Sequence, residues 1–409
     1  MITRNSYSDG KVLLRFNLIK VLSLSSLGPF QIYSLLYLSS SETGKLELGS
    51  IMMLSILIGI FSGPKIGSLM DRYHRKTILN MNLLLWITIS ISGSIIWNSD
   101  AKLVHLIIPV IFVIIDLTEG IFFSILRSIQ QTIITDKKYG LSNSIAEISG
   151  QLPTVIGASI AIPVLSLLGP RFSLIIQVPF IIISMMFLRG LRENFSPAKT
   201  GDTLSKRREG SLTFVRKNFS IVFFFYLLNF TFIVTTLGNF LKPIFIVNVL
   251  HGNATGISFS EITYSALGIS TGAILSVLRM KFSLKHVYLF MLIFTLGCFL
   301  IPSSTSFAMY IGFQSTHGIG NPGNRISRNT LIMNGISGEY SGRFYAGIEL
   351  FSNITRLVLL LVFTVSIEFV GPSVLITITG IIMLIAMSLS MILYRFNLKL
   401  KRFMMSLGV

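Results

Sequence analysis

The amino-acid sequence predicts an all-α polytopic membrane protein, with about 12 transmembrane helices in two pseudo-symmetric six-helix bundles. Three observations predict it. Hydrophobic residues make up 52% of the 409 and charged residues only 12%, with a mean hydropathy of +0.75, too little polar material to cover a soluble globule of this length. The apolar runs are about 20 residues long, as a helix rising about 1.5 Å per residue needs to cross a hydrocarbon core about 30 Å thick. The Lys and Arg residues also alternate between successive connections, a test independent of the hydropathy that places the helices.

Spans are expected near 16–38, 47–66, 78–97, 103–127, 144–168 and 171–190, then near 220–249, 261–279, 286–301, 307–331, 344–368 and 373–395. The first follows Arg4, Lys11, Arg15 and Lys20 with no small-residue cleavage pattern, so it is expected as a retained span and not a signal peptide. The second carries glycines at 59, 63 and 67, a small-residue face against which another helix can pack closely. Gly169-Pro170 and Gly371-Pro372 mark the starts of the sixth and twelfth. Between the halves, residues 191–219 hold Ser196-Pro197, Gly201, Lys206-Arg207-Arg208 and Glu209-Gly210 and read as a cytoplasmic linker. The expected domains are therefore 1–190, the linker, and 220–409.

Counting the N-terminus and every second connection, 29 of the 34 basic residues fall on one side, with Lys45, Lys102, Arg171 and Lys242 on the other. The positive-inside rule then puts both termini in the cytoplasm, requires an even number of spans, and makes a bacterial-type inner membrane the expected location. The halves also echo each other. Gly59, Gly63, Arg72 and Lys76 recur 209 residues later as Gly268, Gly272, Lys281 and Lys285. Arg127, Thr132 and Gly140 recur after 198 as Arg325, Thr330 and Gly338, and Glu147 with Gly169-Pro170 after 202 as Glu349 with Gly371-Pro372. Three such matches in order favour a parallel duplication.

Several function classes are excluded. The formal charge of +18 is spread through short segments, not gathered on a soluble domain, which argues against a nucleic-acid partner. One cysteine, Cys298, leaves no disulfide and no cysteine metal site. There is no Gly-rich phosphate loop ending Gly-Lys-Ser/Thr and no His-Glu-x-x-His, and the five histidines are scattered, so neither ATP nor a catalytic metal has a seat and no enzyme is expected.

After the second span stands Gly67-Ser68-Leu69-Met70-Asp71-Arg72-Tyr73-His74-Arg75-Lys76. It resembles the loop signature of the major facilitator superfamily, Gly-x-x-x-Asp-Arg-x-Gly-Arg-Arg/Lys, with His74 in place of a glycine. Phe123-Ser124-Ile125-Leu126-Arg127-Ser128 and Gly338-Glu339-Tyr340-Ser341-Gly342-Arg343-Phe344 resemble cytoplasmic turns of the macrolide-efflux and siderophore-exporter branch of proton-coupled drug exporters. The resemblance implies that Gly67, Asp71, Arg72, Arg75 and Lys76 form a gating signature, Asp71 bracing the eleventh span's N-terminus, whose dipole suits a carboxylate. Arg127, Arg325, Gly342 and Arg343 become cytoplasmic-turn residues. Alternatively, Arg72, Arg75 and Lys76 are ordinary positive-inside anchors.

Polar residues inside the bilayer are expensive and point to function. The fourth span holds Asp116 and Glu119 one turn apart, with Phe123, Arg127 and Gln130 continuing along much the same face. Two carboxylates so close in a low dielectric cannot cheaply both be charged, so one is expected to bind and release a proton and couple transport to the proton gradient; the alternative is structural pairing, with Arg356 among the partners. The tenth span carries a stripe of Gln314, His317, Asn321, Asn324, Arg325 and Arg328, and the seventh carries Asn229, Thr236 and Asn239. The first offers Ser26, Phe30, Tyr33 and Tyr37, whose tyrosines suit a flat or cationic substrate. Arg356 in the eleventh span needs an acid or an anionic part of the substrate. Spans 1, 4, 7 and 10 are those that line the central cavity in the resembled superfamily. Tyr33, Tyr37, Asn229, Thr236, Asn239, Gln314, His317, Asn321 and Arg356 are therefore cavity candidates, with interhelical hydrogen bonding as the alternative role for each.

The resulting expectation is a monomeric secondary transporter that exports a drug, antibiotic, siderophore or small toxic peptide by alternating access and proton antiport. The proton gradient is its energy source, it needs no cofactor, and its partners are the substrate and the lipid bilayer. An uptake permease for a small metabolite is the alternative within transport, and a non-transporting receptor or assembly factor on a transporter scaffold the alternative outside it.

Overall fold

A computed structural model of the chain describes residues 6–41, 43–99, 103–133, 139–190, 211–278, 280–336 and 338–406, and these form helices throughout, with no strand among them. The first four spans are single helices: α1 (Ser6–Ser40), α2 (Gly44–Arg72), α3 (Arg75–Ser99) and α4 (Val104–Ile133). The fifth is α5 (Tyr139–Pro163) continued by a π-helical turn over Val164–Leu168, and the sixth is α6 (Phe172–Ile175) with α7 (Gln177–Arg189). The seventh is broken into α8 (Ser211–Lys217), α9 (Phe219–Leu227) and α10 (Phe230–Asn248). The remaining spans are α11 (Ala254–Val277), α12 (Leu284–Leu300), α13 (Phe307–Gly335), α14 (Gly338–Val370) and α15 (Pro372–Phe396), followed by α16 (Leu398–Ser406), which the apolar runs did not predict.

Among the described residues ten helices are long and apolar enough to cross a membrane. The two expected spans outside that set, α11 and α13, have 24 and 29 residues, length enough to cross at about 1.5 Å per residue. Their polar residues lower the hydropathy, and many of those are buried against other helices and so need not face lipid.

The breaks in the seventh span fall at Asn218 and Asn229, whose backbones leave the helical region at φ −113° and −86°. Asparagine amides compete for backbone and neighbouring groups: Asn218 Nδ2 donates to the Phe214 carbonyl at 3.2 Å and Asn229 Nδ2 to Ser352 Oγ at 2.9 Å. Gly169 and Gly371, each followed by proline, have φ of 92° and 79°, with ψ of 166° and 162°. The same glycine turn thus opens the sixth and twelfth spans, a local counterpart of the repeat read in the sequence.

Two compact units divide the chain: Met1–Leu38, Ile51–Asp136 and Leu152–Lys206 in the first, Ser39–Ser50, Lys137–Gln151 and Arg207–Val409 in the second. Residues 39–50 and 137–151, expected in the first domain, cluster with the second unit. Specific contacts account for this: Lys45 pairs with Glu368 at 3.7 Å, Asn248 Nδ2 donates to the Ser39 carbonyl at 3.0 Å, and Glu147 pairs with Arg325. The expected linker also ends sooner, since α8 starts at Ser211 and buries Phe214 and Val215, the Phe214 ring stacking on Tyr340 at 5.6 Å; residues 191–210 lie outside the described residues.

The first unit packs around Trp86 of α3, which is fully buried, donates from Nε1 to Thr118 Oγ1 at 2.6 Å and leans on Phe122 at 5.1 Å. Phe16, Ile19, Leu27 and Phe30 of α1 and Ile115, Phe122 and Ile125 of α4 complete that core. In the second unit, α9 buries Phe224 and Phe225 among Phe344, Met291, Phe294 and Met383 of the later spans. Small residues act unevenly in the repeat. A Cβ at Gly268 would stand 3.1 Å from Gln151 and 3.2 Å from Pro322, and one at Gly272 3.1 Å from the Ser144 carbonyl. Gly59, the echo of Gly268, meets nothing within 4 Å among the described residues, and the packing at Gly63 and Gly67 lies outside them.

Candidate functional site

The first unit brings α1 and α4 together at a carboxylate. On α4 the core-facing residues are Ile115, Thr118, Phe122 and Ile125, all buried, which turns Asp116 and Phe123 toward the other side of the helix and leaves Glu119, half-buried, at the flank of the core face. Gln31 of α1 donates from Nε2 to Glu119 Oε2 at 2.8 Å, while Asp116, exposed in its unit, lies one turn before. Gln31 escaped the sequence reading because it stands one residue off the Ser26, Phe30, Tyr33, Tyr37 stripe. Of that stripe, Phe30 belongs to the hydrophobic core and Ser26 donates to the Ser23 carbonyl at 2.7 Å. Tyr33 and Tyr37 are half-buried, with ring centroids 6.1 Å apart, and Tyr33 also meets Trp97 at 5.3 Å.

Of the gating signature, the helix α2 runs through Gly67, Asp71 and Arg72, but their side chains lie outside the described residues, as do those of Arg127 and Gln130. Lys76 donates from Nζ to the Arg189 carbonyl at 2.8 Å, and Arg15 from Nη1 to the Gly190 carbonyl at 2.6 Å. Both cations thus sit at the C-terminus of α7, where carbonyls lack helical partners and the dipole favours positive charge. Arg75 opens α3, and Gly342 and Arg343 stand on the second turn of α14, with the Arg343 guanidinium 5.7 Å from the Tyr340 ring.

In the second unit the polar stripe of α13 is packed inside protein. Gln314, His317, Asn321, Asn324 and Arg328 are all buried. Asn321 Nδ2 donates to the Tyr264 hydroxyl at 2.6 Å, Thr231 Oγ1 donates to Asn324 Oδ1 at 2.9 Å, and Arg328 Nη1 reaches the Leu228 carbonyl at 3.4 Å. Gln314 has neither side-chain atom in a hydrogen bond among the described residues. Asn229 is held by Ser352, Thr236 Oγ1 donates to the Phe232 carbonyl at 3.2 Å, and Asn239 is exposed. Arg356 donates to Asn353 Oδ1 at 3.1 Å with its guanidinium 4.9 Å from the Phe232 ring.

One ion pair was missed. Arg325 donates from Nε to Glu147 Oε2 at 2.7 Å and from Nη2 to Oε1 at 2.5 Å, a two-point bond that fixes the guanidinium plane, and Gln151 Nε2 donates to the same Glu147 Oε1 at 2.8 Å. Glu147 is buried and Arg325 one-third exposed, at 6% and 33%. An acid inside the fifth span was the available signal, but Glu147 entered only as an echo of Glu349.

Lys242 is the second residue read differently. It was counted among the non-cytoplasmic connections, yet it lies inside α10, is buried, and has Nζ 5.0 Å from the Tyr264 ring centroid. It borders a small cavity of about 10 Å³, room for about one water, with Thr235, Tyr264, His317 and Thr379 as polar lining. His317 stacks on Phe294 at 4.2 Å, with Nε2 3.5 Å from Cys298 Sγ. Among the described residues no cluster of His, Cys, Asp and Glu could hold a metal ion.

Comparison with known proteins agrees with this architecture. The sequence profile of the Major Facilitator Superfamily matches residues 4–158 and 112–359. No curated protein matches the sequence. Solved structures that superpose on the chain include a bacterial homolog of the human lysosomal transporter Spinster, at a TM-score of 0.66 and 12% identity over 97% of this chain and 99% of that one. The nucleoside transporter NupG superposes at 0.65 and 11%, covering 93% and 100%, and the human organic anion transporter MFSD10 (TETRAN) at 0.60 and 14%, covering 92% and 99%. With its helical repeat, its multiple membrane spans and a profile match over most of its length, this chain belongs to the Major Facilitator Superfamily and is a transporter of that fold.

Proposed function

We propose that the chain is a secondary exporter of a small molecule, driven by proton antiport across a bacterial-type inner membrane, with both termini in the cytoplasm. The observation that carries it is the carboxylate of Glu119, deep in the fourth span, held by the neutral amide of Gln31 and one turn from Asp116. A carboxylate whose described hydrogen-bond donor is an amide can lose its charge without leaving a cation unpaired in the membrane, whereas an acid in a two-point arginine pair, like Glu147, is held charged. The first therefore suits proton exchange, and the second suits a brace that alternating access breaks and remakes. Tyr33 and Tyr37 supply an aromatic pair on the same helix as Gln31.

Growth of a pump-deficient bacterium expressing the chain, on a panel of inhibitors with and without a protonophore, tests this reading. Protection against at least one inhibitor, lost with the protonophore, is expected, and Asp116→Asn or Glu119→Gln should remove it while the protein stays in the membrane. Protection by both variants equal to wild type contradicts the proton site; accumulation of a panel compound instead of its exclusion would mark an uptake permease. Two of the transporters it superposes on differ in cargo, a nucleoside and an organic anion, at identities too low to transfer either.

A further inference from the structure

Two short helices at one end of the second unit, α8 and α16, carry charge that has no function in the scheme above. The twelfth span ends at Asn397, whose backbone leaves the helical region at φ −100° and ψ 106° and whose Oδ1 accepts from the Leu400 amide at 2.9 Å, so the residue that stops α15 also caps α16. α16 touches α9, α13 and α15, and so lies across the end of the bundle instead of extending α15. Leu400 is fully buried in the core of the unit, and the Phe403 ring stands edge-on to Phe225 at 6.4 Å. Lys399 Nζ donates to the Lys217 carbonyl at 2.9 Å, which ties α16 to the last residue of α8.

Helical spacing then decides what faces away from the bundle. With Leu400 and Phe403 turned inward, Leu398 and Arg402 stand on the opposite face and Lys399 and Lys401 on the two flanks. Arg402 is exposed, as are Arg216 and Lys217 of α8. Residues 211–217 and 395–406 contain no Asp or Glu, while they hold Arg216, Lys217, Arg395, Lys399, Lys401 and Arg402. The first acids of α14, which packs on α8, are Glu339 and Glu349; Glu349 is exposed, the side chain of Glu339 lies outside the described residues, and Arg343 stands between them in the chain. Seven cations against two acids leave this end of the unit strongly positive.

Depth in the membrane says what meets that charge. α15 is apolar enough to cross a bilayer as far as Phe396, and α16 starts two residues later, so its cations stand at the level of the lipid headgroups. Apolar groups are left beside them: Phe396 is 76% exposed and Leu398 68%, with the Arg395 guanidinium 5.9 Å from the Phe396 ring. A bilayer takes such side chains into its acyl boundary while its phosphates meet the Lys and Arg, a pairing that a soluble polyanion does not offer. We propose that α8 and α16 form a docking surface for the headgroups of anionic phospholipids, which holds α16 across the bundle end and, through Lys399, braces the break in the seventh span. The surface requires neither export nor proton coupling.

The test uses the purified full-length protein in an uncharged detergent, its melting midpoint followed while phosphatidylglycerol is titrated in, with phosphatidylcholine as the neutral lipid and glycerol 3-phosphate as the soluble anion. Phosphatidylglycerol should raise the midpoint to a plateau, and the other two should raise it far less. The triple variant Arg216→Gln, Lys401→Gln, Arg402→Gln should need about tenfold more phosphatidylglycerol for the same rise. Lys281→Gln with Lys285→Gln, which removes two cations before and at the start of α12, should leave the response in place. If the triple variant gives no folded protein, the wild-type chain decides: the rise with phosphatidylglycerol should fall away at about 1 M salt, where charges are screened beyond about 3 Å. An equal rise with phosphatidylcholine or glycerol 3-phosphate, a rise that survives the salt, an undiminished response in the folded triple variant, or an equal loss in the Lys281 and Lys285 variant overturns the proposal. Protonophore-sensitive protection of cells tests export separately, so either reading can fail while the other stands.

Discussion

A methyl group placed on Gly157 would stand 2.8 Å from the Ser25 carbonyl oxygen, and one on Gly28 2.5 Å from the Gly157 carbonyl carbon. Backbone lies on both sides of this crossing of the first and fifth spans, so no side chain can swing aside. Gly157→Val should cost about 3 kcal/mol, read as a lowered melting midpoint of the purified protein, while Gly59→Ala, with open space around its Cβ, should leave the midpoint unchanged. At this scale the sequence was only partly legible. Periodicity shows which face of one helix a residue occupies, and so it singled out Asp116, Glu119 and the α13 stripe. It does not show which distant residue answers, so Gln31 and Glu147, bonded across 88 and 178 positions, had no visible partner. Lys242 was misread because its charge resembled a loop cation, and the chamber that receives it is assembled from spans far apart in sequence.

At the scale of elements, the tie between α5 and α13 makes the clearest forecast. Arg325→Ala leaves Glu147 buried with the Gln151 amide in place of a cation and should destabilise the protein by about 3 kcal/mol, toward the low end for a broken buried pair because the arginine is one-third exposed. The double variant Glu147→Gln with Arg325→Gln should lose clearly less than the two single changes together, and a double-mutant cycle on melting midpoints checks it. The twelve expected spans were readable, including α11 and α13, because length and helical spacing survive polar substitution. The breaks at Asn218 and Asn229 and the added helices α8 and α16 were not readable, since they depend on hydrogen bonds such as Asn229 to Ser352 and on burial of Phe214, Val215 and Leu400 against other spans.

For the whole molecule, the duplicated glycine turns at Gly169 and Gly371 and the alternation of positive charge lead to one topology. Reporter tags at residue 205 and at the C-terminus should both report the cytoplasmic side; tags on opposite sides would mean an odd number of spans in the second half. The central claim is that a proton returns through the first unit as cargo leaves. Everted membrane vesicles acidified by respiration, with a pH-sensitive dye inside, measure this directly when an inhibitor identified by the growth panel is added. The wild-type chain should discharge the gradient on that addition and Glu119→Gln should not. Discharge by Glu119→Gln equal to wild type, or none by wild type with a compound it protects against, would contradict the account.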